Sequence, residues 1–166
     1  SPAMDVQAPS HGGAPRRVLI VAGEHSGERH GAALVRAATA LDPQLRFFGV
    51  GGDAMRAAGV DARWDAAAMA VVGLREGLGK LPMIWRTFRQ IVRAAEREAV
   101  CAAVLIDYPG FNVRLAERLS ARRIPVLYYI APQVWAWRRQ RLQRIAKCVD
   151  RVLVILPFER EVYRQA

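Results

Sequence analysis

The sequence predicts an α/β fold built on a doubly wound parallel sheet. Two observations carry this. Short apolar runs without polar alternation recur, as in Val18-Leu-Ile-Val-Ala22, Ala102-Ala-Val-Leu-Ile106 and Val152-Leu-Val-Ile155, the pattern of strands covered on both faces. Between them lie longer segments with apolar residues at helical spacing, so strands alternate with helices and the connections are crossovers. At 166 residues the chain is the size of one domain with a real core.

In order, Arg17 to Ala22 is a strand ending at Gly23, and Ser26 to Leu41 is an Ala-rich helix stopped by Pro43. Arg46 to Val50 is a second strand. Gly51 to Ala58 starts a helix with Asp53 near its amino end and Gly59 as its stop. A short strand is expected near Val60 to Trp64, then an irregular, Gly-punctuated stretch from Val72 to Gly79. Leu81 to Glu98 reads as a helix with Pro82 in its first turn. Ala102 to Ile106 is a strand, Asp107 to Gly110 a turn and Asn112 to Arg122 a helix. Pro125 to Ile130 is a strand, Ala131 to Trp137 a loop, and Arg138 to Cys148 a basic helix. Arg151 to Ile155 is the last strand, and Pro157 to Gln165 opens a helix of about two turns. That ending has neither cap nor linker, which suggests a chain cut from something longer. The whole pattern is Rossmann-like.

A hydrophobic fraction of 52% and a charged fraction of 24% suit a globular domain. No apolar stretch approaches the roughly 20 residues that span a bilayer. Residues 1–15 are rich in Pro, Gly and Ala and lack the apolar centre of a secretory signal. They read as a flexible tail, its opening Ser-Pro-Ala-Met foreign to the fold, so the domain runs over 16–166. Cys101 and Cys148 have no metal spacing and fit a reducing cytoplasm as two small buried residues. The net charge of +10 is uneven: residues 1–83 carry 9 basic and 8 acidic side chains, residues 84–166 carry 16 and 7. Such asymmetry points to an anionic partner, whether nucleic acid, phosphorylated substrate or membrane.

Ligands of an open parallel sheet collect beyond the carboxyl ends of its strands, and four loops there hold the polar candidates. Gly23-Glu-His-Ser-Gly-Glu28 leads from a strand into a helix whose amino end favours an anion. Ser26 can cap that helix. The segment is neither a Walker loop nor a full Gly-x-Gly-x-x-Gly, so a plain capped turn explains it equally well. Gly49-Val-Gly51-Gly52 reads first as backbone freedom at a tight turn. In Asp107-Tyr-Pro-Gly-Phe-Asn112, Asp107 stands where a rigidly held general base would. It could equally accept backbone N–H groups in a turn, and Asn112 could cap a helix. Ala131-Pro-Gln-Val-Trp-Ala-Trp137 precedes Arg138, Arg139, Arg141 and Arg144. Its Trp residues could stack on bases, sit at a membrane interface or cover a core edge.

Within Leu81 to Glu98, Leu81, Ile84, Trp85, Phe88, Ile91, Val92 and Ala95 mark one apolar stripe, with Arg86, Arg89, Arg93 and Arg97 mostly off it. A crossover helix packed on the sheet is the favoured reading. The alternative is a basic amphipathic helix on an anionic membrane. Met83, Ile84 and Trp85 are candidates for exposure. His11, His25 and His30 show no metal spacing, and the acidic residues form no metal cluster.

Together the loops Val21-Ala-Gly-Glu-His-Ser-Gly27, Phe48-Gly-Val-Gly-Gly52, Ile106-Asp-Tyr-Pro-Gly-Phe-Asn112, Pro132-Gln-Val-Trp-Ala-Trp137 and Leu156-Pro-Phe-Glu159 resemble the lipid-A-disaccharide synthase family. The resemblance runs from about Arg17 to the last residue. It implies the acceptor-side, N-terminal domain of a GT-B type glycosyltransferase with twin Rossmann-like domains. The C-terminal UDP-binding domain is then absent and the chain inactive alone. The family's reaction joins UDP-2,3-diacylglucosamine to 2,3-diacylglucosamine 1-phosphate, releases UDP and inverts the anomeric centre, with no metal or other cofactor. On this resemblance Asp107 is the general base. Glu24, Ser26 and Gly27 line the cleft, and Asn112, Gln133 and Trp135 shape the acceptor region. Met83, Ile84 and Trp85, in the stretch from Val72 to Trp85, meet acyl chains or membrane. The basic surplus then meets lipid phosphates, at a cytoplasmic, peripheral position on the inner membrane. An exposed inter-domain face would favour homo-oligomers. Glu28 departs from the family's more usual Asp, and His25 sits at a variable position.

The resemblance explains the charge without nucleic acid, for which no motif is present. A non-catalytic, basic membrane- or lipid-binding module is the alternative. Other GT-B enzymes, such as a UDP-sugar epimerase or the peptidoglycan glucosaminyltransferase, fit the Trp-Ala-Trp loop poorly.

Overall fold

The computed structural model describes residues 14–23, 25–69, 74–130 and 151–154. β1 (Arg16–Ala22) leads through Gly23 toward α1 (His25–Leu41), followed by β2 (Leu45–Gly51), the short α2 (Asp53–Ala57) and β3 (Asp61–Asp65). α3 (Ala66–Met69) precedes the long α4 (Leu74–Arg97), which returns the chain to β4 (Ala102–Ile106). α5 (Pro109–Ala121), β5 (Val126–Ile130) and β6 (Arg151–Val154) complete the described elements. The strands form one 6-stranded sheet in the order β3-β2-β1-β4-β5-β6, with every pairing parallel. The expected Rossmann-like α/β architecture is therefore present. The strand order reverses between β1 and β4.

Strand side chains alternate between faces, and the sheet uses both. Leu19, Val21, Phe48, Val50, Ala103, Leu105, Val126 and Tyr128 pack with α4 and α5. Val18, Ile20, Ala22, Phe47, Val104 and Ile106 pack with α1 and α2. Burial on both faces is why these strands lack polar alternation. At Gly49, φ is 151° and any Cβ would overlap the Ile20 carbonyl oxygen, so only glycine lets β2 lie against β1 there.

Several expectations need correction. The Gly49–Gly51 segment lies inside β2, and the β2–β3 register shifts between Gly49 and Val50. α4 begins at Leu74, so the expected irregular stretch is helical from its third residue on, and Pro82 stands well inside the helix. Gly costs a helix only about 1 kcal/mol, and Pro removes a single backbone bond; neither abolishes a helix of 24 residues. The apolar stripe of α4 is buried at Phe88, Ile91, Val92 and Ala95, whereas Leu81 and Trp85 are exposed. α5 starts at Pro109, whose fixed φ suits a first helical position. Asn112 therefore lies inside α5 rather than at its cap. Ser26 likewise falls one residue inside α1. Cys101 is exposed, in the bend before β4. The loop and basic helix expected over residues 131–148, the helix after Pro157, and Glu24, Gln133, Trp135 and Cys148 lie outside the described residues.

Candidate active site

Where the strand order reverses, the carboxyl ends of β1 and β4 lie side by side, with Ala22 paired to Ile106. Chains leaving two such strands in opposite directions open a crevice. Asp107 is the first residue beyond β4 and only 6% exposed. Its N–H donates to the Tyr129 carbonyl of β5 at 2.9 Å. The chain then turns sharply, with Asp107 and Tyr108 both left-handed at φ 46° and 48°. For Tyr108 that costs about 1–2 kcal/mol, and less for an Asp. The N–H groups of Phe111 and Asn112 return to the Tyr108 carbonyl at 3.2 and 2.8 Å, closing the first turn of α5.

Two buried side chains hold this turn. Asn112, 0% exposed, donates from Nδ2 to the carbonyls of Asp107 at 2.9 Å, Ile106 at 3.2 Å and Val21 at 3.4 Å. Its Oδ1 has no hydrogen-bond partner among the described residues. The Tyr128 hydroxyl donates to the same Asp107 carbonyl at 2.8 Å. Asn112, expected to shape the acceptor region, thus reaches backbone carbonyls, being too deeply buried to meet a ligand. Tyr128 escaped the sequence reading, although a buried Tyr in an apolar strand needs a partner for its hydroxyl.

The β1–α1 segment closes on the turn from the other side. Any side chain at Gly23 would overlap Cγ and Cδ1 of Tyr108. The Tyr108 hydroxyl donates to the Met69 carbonyl at 3.0 Å, and its ring stacks on Phe111 with centroids 5.3 Å apart. A Cβ at Gly27 would lie 3.8 Å from Asp107 Oδ2. The first turn of α1, whose free N–H groups carry partial positive charge, therefore runs beside the carboxylate. The Tyr129 phenol titrates above its ordinary range, chiefly through burial and then through the negative charge of Asp107.

Next to this turn is a cleft of about 730 Å³ at the carboxyl ends of β1, β2 and β3, with Gly23, Glu28, Arg29, Gly52, Arg56 and Asp65 among its walls. Asp107 is not a wall of it. Glu28 is buried, and its Oε1 accepts the Met55 N–H of α2 at 2.7 Å. It thereby caps a helix whose own N-cap, Gly52, offers no side chain. Glu28, conspicuous in the sequence only as a departure from Asp, has the reach for this contact.

Of the expected site residues, Asp107, Gly27 and Asn112 come together around the turn. Met83, Ile84 and Trp85 lie apart from it on α4. Met83 and Trp85 are exposed, with Leu78 at 63% and Leu81 at 54% beside them in sequence, whereas Ile84 is half-buried against the core. Among the described residues no helix is long and apolar enough to cross a membrane.

The family model described as lipid-A-disaccharide synthetase matches residues 18–166. The chain belongs to that family. It is similar to the lipid-A-disaccharide synthases of Myxococcus xanthus, at 46% identity over 92% of the chain, and Syntrophus aciditrophicus, at 51% over 90%. That of Syntrophotalea carbinolica is 49% identical over 90% of the chain. The match covers 40%, 39% and 38% of these relatives' own lengths, so the chain spans about two fifths of a lipid-A-disaccharide synthase. The whole turn around Asp107 falls within the matched part.

Proposed function

We propose that the chain forms the acceptor side of a glycosyl transfer from UDP-2,3-diacylglucosamine to 2,3-diacylglucosamine 1-phosphate. The observation that carries this reading is the place of Asp107, a carboxylate at the carboxyl end of β4 where the strand order reverses, in a chain of this family. The Asp107 carboxylate takes the proton of the attacking acceptor hydroxyl. The acceptor oxygen bonds to the anomeric carbon from the face opposite UDP, and the bond to the diphosphate breaks with its electron pair leaving on UDP. The anomeric centre inverts. No metal or organic cofactor has a step. Glu24, ahead of α1, and Ser26 and Gly27, in its first turn, line the crevice, and Gln133 and Trp135 shape the acceptor region. Met83, Ile84 and Trp85 engage acyl chains or the cytoplasmic face of the inner membrane, with the basic surplus on anionic headgroups. The donor's UDP binds in the part of the relatives' length beyond this chain, so the chain alone is inactive.

The test is disaccharide formation by a full-length protein carrying this chain, its Asp107→Asn variant and the chain alone. Turnover by the parent, a fall of about 10²–10⁴-fold in a folded Asp107→Asn protein and silence from the chain alone are expected. An active Asp107→Asn removes the base. A folded but inactive parent removes the synthase reading and favours a lipid-binding module.

A further inference from the structure

We infer that Asn112 and Tyr128 are positioning residues for Asp107, holding its backbone in the left-handed turn that carries the carboxylate across to α1. The inference rests on the reading of Asp107 as general base. In an extended strand the side chain after Ile106 would point to the opposite face from Ile106. Ile106 packs on the α1–α2 side, so an extended Asp107 would point toward α4 and α5. It stands instead with Oδ2 beside Gly27 of α1. The left-handed backbone of Asp107 and Tyr108 makes that difference, a conformation that Asp adopts more readily than most residues but Tyr does not.

The restraints converge on the two peptide groups that flank the Asp107 Cα. The group before it is fixed by the Asp107 N–H donating to the Tyr129 carbonyl at 2.9 Å. The group after it is fixed through its carbonyl, which accepts from Asn112 Nδ2 at 2.9 Å and Tyr128 OH at 2.8 Å. Both lone pairs of that oxygen are thereby used. The donors come from α5 and β5, so the turn is tied to two elements at once. With both peptides fixed, the direction in which the Asp107 side chain leaves the backbone is fixed as well. Asn112 also carries a sign of what its position requires. Its amide nitrogen serves three carbonyls while its buried Oδ1 serves no donor among the described residues. An apolar residue of similar shape would leave no such orphan, so the amide is there as a donor.

The experiment measures kcat and KM in a full-length protein for Tyr128→Phe and Asn112→Leu, each in the parent and in the Asp107→Asn background. Each single change should lower kcat about 10-fold or more, since displacements near 1 Å cost up to about 100-fold, with KM within about twofold. In the Asp107→Asn background the same changes should cause no further fall, because residues acting through one group are not additive. Tyr128→Phe keeps the ring in place and carries the test if Asn112→Leu does not fold. Parental kcat in both single variants, or equal losses in both backgrounds, overturns the positioning role while Asp107 stands. Full activity of Asp107→Asn itself overturns the base reading and this inference with it.

Discussion

Position 23 shows how tightly single residues are bound to the turn. The Tyr108 ring has little freedom to move, since its hydroxyl is on the Met69 carbonyl and its face is on Phe111. Gly23→Ala must therefore shift either the β1–α1 connection or the turn bearing Asp107. A loss of about 1–3 kcal/mol is expected, as for overpacking elsewhere, read as a lower denaturation midpoint and accompanied by loss of turnover. Gly27→Ala is the control: its nearest contact is Ile106 Cγ2 at 3.2 Å and alanine favours helix, so its cost should be smaller. Equal effects at the two positions would mean that the contact with Tyr108 is not the constraint. That Asp107 ends β4 in a turn was legible in the sequence, from the apolar run before it and the Pro and Gly after it. The face it serves was not. Alternation predicts the opposite side of the sheet, and no pattern marks two left-handed residues that both bear side chains.

At the scale of elements, the carboxyl end of α4 is held by charge. Glu98, just past the helix, takes a bidentate pair from Arg63 of β3 at 2.6 and 2.7 Å and a further contact from Arg17 of β1. Arg63 also lies over the Phe48 ring, 4.2 Å from its centroid. The hydrogen bond from Arg63 is the main reason that the Glu98 carboxyl titrates below its ordinary 4.5. A carboxyl with a depressed folded pKa adds stability that is full above its unfolded pKa and lost as pH falls through the folded one. Glu98→Gln should thus cost about 1 kcal/mol at pH 7, with the difference from the parent closing below about pH 4. Thermal midpoints at pH 7 and pH 3 would show it; an equal deficit at both would mean that packing, not charge, is what the pair contributes. None of this was visible in the sequence, since Arg17, Arg63 and Glu98 are far apart along the chain. β1 and β4 were legible because burial on both faces leaves an uninterrupted apolar run. The start of α4 was not, because Gly77, Gly79 and Pro82 argue locally against a helix that forms regardless.

On the scale of the molecule, apolar exposure collects on the amino-terminal half of α4. Leu78, Leu81, Met83 and Trp85 are exposed there, and Arg86, Arg89 and Arg93 are exposed on the same helix. The Arg89 guanidinium lies over the Trp85 ring, 5.6 Å from its centroid. From Trp85 a run of ring contacts leads inward, to Phe88 at 5.5 Å, on to Phe111 at 5.4 Å and to Tyr108 at 5.3 Å. It links the exposed face of α4 to the turn that holds Asp107. If α4 meets an anionic bilayer, two separable losses follow. Leu81→Asp with Trp85→Asp should abolish association with anionic vesicles at any ionic strength, because it removes the apolar contact. Arg89→Gln with Arg93→Gln should weaken it about 10-fold or more at low salt, at about 1 kcal/mol per basic residue near such a surface. That loss should fade as salt screens the headgroups. The Arg pair is exposed, so its stability should change little, whereas Trp85→Asp also gives up the stack on Phe88, so that pair is compared only after its denaturation midpoint shows it folded. Binding unchanged in both pairs would leave the apolar run of α4 to face protein, and the remaining length of the relatives would be the first place to seek its partner.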